Sequence, residues 1–379
     1  MRTWKMLAGS LLVASSLTAS GGDARATSDA TNLACAVQVV SSWSLTRLAN
    51  ETIVVPVNAM NIGSMAPAAR AGYGGLLLFG STAPAPMTAI IATLQRERPV
   101  HYPMMVMTDE EGGGVLRLSN IVRPFPWAQS MGRNATSEQI ASIGLRVGRE
   151  LSAAGVNTDL APVLDVDGRA DFPGAANPDG LRSFSGVPAI AATDGTAFMN
   201  GLAKSVTAVV KHFPGLGYST RNTDYGPAAT LTWSKLQSTG LVPFKQAIAS
   251  GAQAVMLSNA HVPGLSPLPS SLSPEVVKVL RQTLGFQGLI VTDSLSSGAI
   301  GALHLAEPAA SVAALQAGAD LILFGSPTSV AKSLDLAGRI SSAIVAAVTN
   351  GSLSQSALVD AAAHVLATRT AVSCPVPAG

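Results

Sequence analysis

Val206-Thr207-Ala208-Val209-Val210-Lys211-His212-Phe213-Pro214-Gly215 sets an apolar, β-branched run against two basic residues and a Pro-Gly turn. A short run of this kind, with little alternation between apolar and polar residues, reads as a parallel strand covered on both faces. A lysine at the end of such a strand must be received by a carboxylate or a ligand, because an unpaired buried ammonium costs several kcal/mol. Seven further runs of the same character flank it: Ile53 to Val57, Gly75 to Gly80, Met104 to Thr108, Asn157 to Asp165, Ala254 to Asn259, Leu289 to Asp293 and Asp320 to Gly325.

Parallel strands need crossover connections, and the segments between the runs have helical character. Thr136 and Gln139 make a capping-box pattern ahead of Ile140, Ile143, Val147 and Leu151 at helical spacing, stopped by Gly155. Gly144 falls on the same face, where its missing side chain lets a neighbouring backbone approach. Ser273 and Pro274 open a second helix through Val276, Val277 and Leu280 to Leu284, ending at Gly285. Strand and helix alternating in this way favour a closed α/β barrel of the (β/α)8 TIM type, in a single domain, over an open doubly wound sheet.

The 379 residues are 47% hydrophobic and 12% charged, which supplies a large interior and excludes a disordered chain. A net charge of +2, with no block of Lys and Arg among aromatics, excludes a nucleic-acid footprint and favours a small neutral ligand. Arg2, Lys5 and the apolar stretch from Met6 to Leu17 read as an export signal, too short to span a bilayer. Ala24-Arg25-Ala26 gives the small-x-small cleavage pattern, so residues 1–26 are expected to be removed. Leu17-Thr18-Ala19-Ser20 resembles a lipobox in which Ser20 stands at the position of the lipid-bearing Cys, which argues against a lipid anchor. The two cysteines, Cys35 and Cys374, form a disulfide candidate that would close nearly the whole chain, worth ~4 kcal/mol in the chain-entropy model. Two unrelated buried thiols are the alternative. The cysteines are not in ligand spacing and the five histidines are scattered, so neither a metal nor a cofactor is implied.

In a barrel of this type the ligand lies at the carboxyl ends of the strands. Those ends carry Asp109-Glu110-Glu111, Asp165, Lys211-His212, His261 and Asp293. Each alone has an ordinary structural reading, such as a helix cap or a satisfied core histidine. Their convergence on one rim is the stronger signal.

Five segments then resemble the single-domain bacterial β-N-acetylglucosaminidases of glycoside hydrolase family 3. Asp109 to Arg117 is similar to the family's D-Q-E-G-G-R-V-x-R, and Ala161 to Val166 to its A-P-V-L-D-V. Arg182-Ser183-Phe184 matches R-S-F, Lys211 to Gly215 matches K-H-F-P-G, and Val291 to Ser296 resembles the nucleophile segment. The resemblance implies a barrel domain over residues 46–379, preceded by an N-terminal segment over 27–45. It also implies a retaining hydrolysis of terminal β-linked N-acetylglucosamine with Asp293 as nucleophile, and an oligosaccharide substrate such as a cell-wall muropeptide fragment at the cell envelope. Asp109, Arg117, Arg182, Lys211 and His212 would then hold the sugar hydroxyls through charge-assisted hydrogen bonds.

One loop departs from the pattern. After K-H-F-P-G the family reaches D-S-H, whose Asp and His form its acid/base dyad, whereas here Leu216 to Asp224 contains no histidine. Counting without a gap puts Asn222 and Asp224 at the dyad positions, so Asp224 is the expected acid/base. Gly114 replaces the first Arg of its segment, and Ser297 stands where Met is usual. Two other readings stay open: a glycan-binding relative that keeps the pocket without proton transfer, and an aldolase-like barrel using Lys211 as a Schiff-base lysine.

Overall fold

The computed structural model describes residues 21–325 and 329–374, with side chains from residue 30 onward. The expected signal up to residue 20, Ser20 included, lies outside the described residues, as do the side chains of Ala24, Arg25 and Ala26. Seven parallel strands follow one another in chain order: β1 (Val54–Asn58), β2 (Gly75–Phe79), β3 (Met105–Thr108), β4 (Thr158–Asp159), β5 (Thr207–Phe213), β6 (Ala254–Leu257) and β7 (Leu289–Thr292).

The eighth run, from Asp320, closes the barrel through single bridges. Leu321 pairs with Val291 on one side and Ile322 with Ile53 on the other. The Ile322 amide donates to the Thr52 carbonyl at 2.8 Å, and the Thr292 amide donates to the Leu321 carbonyl at 2.9 Å. The fourth run is less regular than its composition suggests. Only Thr158 and Asp159 form ladder pairs, and beyond them Val163 makes a single bridge to Lys211.

Side chains of a strand alternate between two faces, and in a barrel those faces are the lumen and the helical jacket. The lumen is filled by Val54, Leu77, Met105, Met107, Leu160, Val209, Ala254, Met256, Leu289, Val291, Leu321 and Leu323, all buried and in mutual contact. The opposite rank, including Val55, Leu76, Leu78, Val106, Val210, Val255, Leu257 and Ile290, packs into the larger core under the helices. Both ranks are apolar, which is why the runs show no alternation.

The helix Ser137–Ala153 begins with the capping box formed by Thr136 and Gln139. It lies directly on the helix Pro188–Leu202. A Cβ built on Gly144 would come within 2.4 Å of the Phe198 carbonyl oxygen, so only glycine admits this contact. Ser273 caps the helix Pro274–Lys278 through the Val276 amide, and the chain turns at Gly285 with φ of 67°.

The two ends of the described chain are knitted together. The helix Gly21–Val40 packs on Gln355–Arg369. Asn32 donates to the Ala367 carbonyl at 2.8 Å and accepts from the Val372 amide at 2.6 Å, and a disulfide joins Cys35 to Cys374. Among the described residues no helix is long and apolar enough to cross a membrane.

Gly144→Ala should destabilise the fold by ~1–3 kcal/mol through overpacking, despite a helix-propensity gain of ~1 kcal/mol. The expected reading is a lower urea midpoint at unchanged m value; an unchanged midpoint would deny the close packing of these two helices.

Candidate active site

The lumen rank decides which polar side chains meet. Two residues beyond Met107 on β3 stands Asp109, two beyond Val209 on β5 stands Lys211, and two beyond Val291 on β7 stands Asp293. Leu77 on β2 is followed in the same way by Phe79. The alternation that fills the barrel with methyl groups therefore delivers two carboxylates and an ammonium to its open end.

Lys211 is 2% exposed. Its Nζ lies 2.7 Å from Asp109 Oδ1 and 2.6 Å from Glu111 Oε1. Glu111 in turn accepts from Arg182 through both oxygens, Nε at 2.7 Å and Nη2 at 2.8 Å. The remaining Arg182 nitrogen donates to the Pro178 carbonyl at 2.8 Å. Burial favours a neutral Glu111, but Arg182 and Lys211 together outweigh it and hold the carboxyl below its usual range. Burial likewise works against the Lys211 ammonium, and Asp109 with Glu111 reverses it, so the lysine pKa rises. Arg117 stands at the edge, Nε 4.0 Å from Asp109 Oδ2 and about a third exposed.

Glu111 reaches Lys211 from a tight hairpin, Glu110–Gly112 against Val115–Leu116. Gly113 at its tip has φ of 58°, and a Cβ there would meet the Trp127 ring at 2.0 Å. The turn closes only with glycine at that position.

His212 is held by Asp165, whose Oδ2 lies 2.6 Å from Nδ1. Asp165 also accepts from the backbone amides of His212 and Leu216. Burial, aided by the nearby Arg182, lowers His212 to about 4, so at neutral pH the ring is uncharged. Asp293 remains partly exposed, and its Oδ1 accepts from the Ser294 amide at 2.7 Å. Burial raises its pKa and Asp224 adds to the rise, while the Ser294 amide and the Lys211 ammonium oppose it.

Asp224 is exposed, on the loop running from Leu216. That loop is fastened to the segment after Asp293: the Gly298 amide donates to the Asp224 carbonyl at 3.0 Å and the Ala299 amide to the Thr223 carbonyl at 2.9 Å. The two carboxylates are near enough to feel each other's charge.

Some expectations change. Arg182 directs three of its five N–H groups to Glu111 and Pro178, which leaves one on each of Nη1 and Nη2. His261 does not end the sixth strand, which stops at Leu257; it lies in a small antiparallel hairpin with Ser266–Pro269. The Schiff-base reading of Lys211 fails, because such a lysine must be neutral and this one is clamped between two carboxylates. Three participants carried no assigned role in the sequence reading: Glu111, Asp165 and Asp179. The first two sit in segments that were read, but their partners are distant in sequence. Asp179 had no motif to mark it.

An α/β barrel with clustered carboxylates, lysine, arginine and histidine at the carboxyl rim defines a class of enzymes that handle small polar substrates. The glycosyl hydrolase family 3 N terminal domain matches residues 53–368, and the chain belongs to that family. It is similar to the beta-hexosaminidase LpqI of Mycobacterium tuberculosis, 32% identical over 241 residues covering 62% of this chain and 61% of that protein. An uncharacterized secreted glycosyl hydrolase of Arthroderma benhamiae is 30% identical over 79% of this chain and 85% of its own length. Among solved structures, a family 3 glycosyl hydrolase of Mycobacterium smegmatis superposes with a TM-score of 0.78 at 28% identity, covering 88% of this chain and 99% of that one. The beta-N-acetylhexosaminidase of Beutenbergia cavernae gives 0.75 at 28% identity, covering 86% and 99%.

Beneath the rim a second acidic pair is buried. Glu110 is fully enclosed, and its Oε1 accepts from the amides of Arg117 and Leu118. Asp159, also enclosed, accepts from the Glu110 amide, and one oxygen of each carboxyl has no partner. Burial pushes Glu110 up to about 8. A carboxyl whose folded pKa lies above its unfolded value binds more protons in the native state, so stability falls as pH rises from about 4.5 to about 8. Glu110→Gln should remove this slope. Its melting temperature should exceed that of the wild type by a margin that widens between pH 5 and 8, and a constant margin would contradict the assignment.

Proposed function

We propose that this protein is a retaining β-N-acetylhexosaminidase that removes terminal β-linked N-acetylglucosamine, with Asp293 as its nucleophile. The observation that carries the reading is the position of Asp293: it ends the lumen rank of β7, stays partly open to solvent, and faces the positive field of Lys211. Retaining hydrolysis asks for an ionised carboxylate under the anomeric carbon and a proton donor at the leaving oxygen. Lys211 opposes the effect of burial on Asp293 and so favours the ionised form.

Asp224 is the acid/base in this proposal, supported by its exposure and by the hydrogen bonds that fasten its loop beside Asp293. Asp109, Arg117, Arg182, Lys211 and His212 hold the sugar hydroxyls in this proposal, with Glu111 fixing Lys211 and Arg182. The names of the relatives support the sugar class. The proposal extends to export, with cleavage near Thr27 leaving Asn32 and Cys35 in the mature chain, and to cell-wall fragments as the natural substrate. Support comes from the secreted relative and from a disulfide suited to an oxidising compartment.

A second reading, a glycan-binding relative with impaired proton transfer, is favoured by one observation: the loop from Leu216 to Asp224 has no histidine. Mass spectrometry after incubation with a 5-fluoro N-acetylglucosaminyl fluoride should place the label on Asp293. A label elsewhere would remove it as nucleophile. Asp224→Ala should lower kcat/KM for an unactivated disaccharide by ~10² to 10⁴ while leaving kcat/KM for an activated aryl glycoside, which reports formation of the glycosyl-enzyme alone, nearly unaffected. Binding of the sugar without cleavage of either substrate by the wild type would establish the second reading.

A further inference from the structure

We propose that Asp179 is a positioning residue, held as a neutral carboxylic acid that donates its proton to Asp165 and so fixes the Asp165–His212 pair at the rim. Asp165 and Asp179 are both fully buried. One oxygen of each and a ring nitrogen of His212 lie within 4.8 Å of one another. No donor reaches either Asp179 oxygen among the described residues. Two buried carboxylates this close repel when both are charged, and neither can donate to the other, so the pair is favourable only if one of them carries a proton.

The surroundings decide which. Asp165 receives the Leu216 amide at 2.5 Å, the His212 amide at 3.2 Å and His212 Nδ1 at 2.6 Å, all contacts that suit an anion. Asp179 receives none, so the proton belongs to Asp179. Burial raises Asp179 well above the usual carboxylate range and the charge of Asp165 adds to it, while Asp165 is raised only to about 6.

The same trio has a spacing that a cation could also use. A cation, however, would have to displace the donors already on Asp165, whereas a proton completes the set. The other charged groups facing the pair are Arg182 and Asp167, with Arg169 bound to Asp167 and Asn177. Lys211 and Asp293 act on His212 itself. The chain delivers Asp179 inward by turning at Gly180, whose φ is 50° and where a Cβ would lie 2.0 Å from the Asp171 carbonyl oxygen.

The consequence is directional. A neutral Asp179 lets Asp165 remain an anion that accepts from His212 Nδ1, which leaves Nε2 free to accept from a hydroxyl. When Asp179 ionises, two adjacent buried anions repel and the hold on His212 loosens, so both stability and turnover should fall on the alkaline side. The catalytic consequence rests on the hexosaminidase reading, but the protonation itself does not.

The test compares Asp179→Asn, which keeps a donor toward Asp165 without a titrating proton, with Asp179→Ala. The wild type minus Asp179→Asn infrared difference spectrum at neutral pH should contain the carbonyl stretch of a buried carboxylic acid, a readout independent of activity. Asp179→Asn should keep kcat/KM within roughly threefold of the wild type and lose its alkaline limb, while Asp179→Ala should lose roughly tenfold or more. Its His212 ring nitrogen shifts should also move. Absence of the carboxylic acid band, an Asp179→Asn profile with the same alkaline limb as the wild type, or a stoichiometric divalent cation lost in Asp179→Asn would overturn the proposal. If Asp179→Ala fails to fold, the infrared band and the Asp179→Asn pH profile still decide it.

Discussion

Glu111 is held between Lys211 and Arg182, and the architecture of the rim depends on that compensation. A buried ammonium or carboxylate alone would lose several kcal/mol of solvation, and removing one partner of a buried pair typically costs ~3–5 kcal/mol because the other is left uncompensated. The cluster therefore constrains position. Asp109 and Glu111 follow β3, Lys211 sits on β5, and Arg182 belongs to the long connection after β4, so three separate parts of the barrel rim are locked by a single set of charges.

The barrel supplies what the charges need. Its lumen is closed by packed apolar side chains, so the polar residues that continue the same rank stand on an apolar floor. Attraction between charges is stronger there than in water, and a group held at the wrong place is penalised more heavily. The family's reaction asks for this arrangement: one carboxylate charged, and hydroxyl-binding groups that do not move when the substrate arrives.

Proton inventory is a second theme of the molecule. Two carboxyl groupings are enclosed, Glu110 with Asp159 below the rim and Asp165 with Asp179 behind His212. In both, burial rather than a nearby negative charge is the larger influence on the pKa. The loop from Leu216 to Asp224, which contains no histidine, begins against the second grouping, since the Leu216 amide is bound to Asp165. The rim thus joins a fixed, neutral histidine to a loop whose one carboxylate, Asp224, is exposed.

The barrel was legible in the sequence because eight apolar runs separated by capped helices have few ways to bury themselves, and the capping box at Thr136 and Gln139 and the cap at Ser273 are local patterns settled by neighbouring residues. The rim residues were legible as strand ends and as motif matches. The pairings among them were not. Whether Lys211 would meet Asp165, Asp293 or Glu111 depends on strand alternation and barrel closure, and both ranks of these strands are apolar, so the sequence holds no record of which face is the lumen. Asp179 shows the limit most clearly: nothing around it in the chain distinguishes it from a surface loop residue, and only the fold, by turning it at Gly180 against Asp165, makes it a buried acid. Local patterns follow from the order of residues, whereas charge environments follow from which distant segments share a dry space.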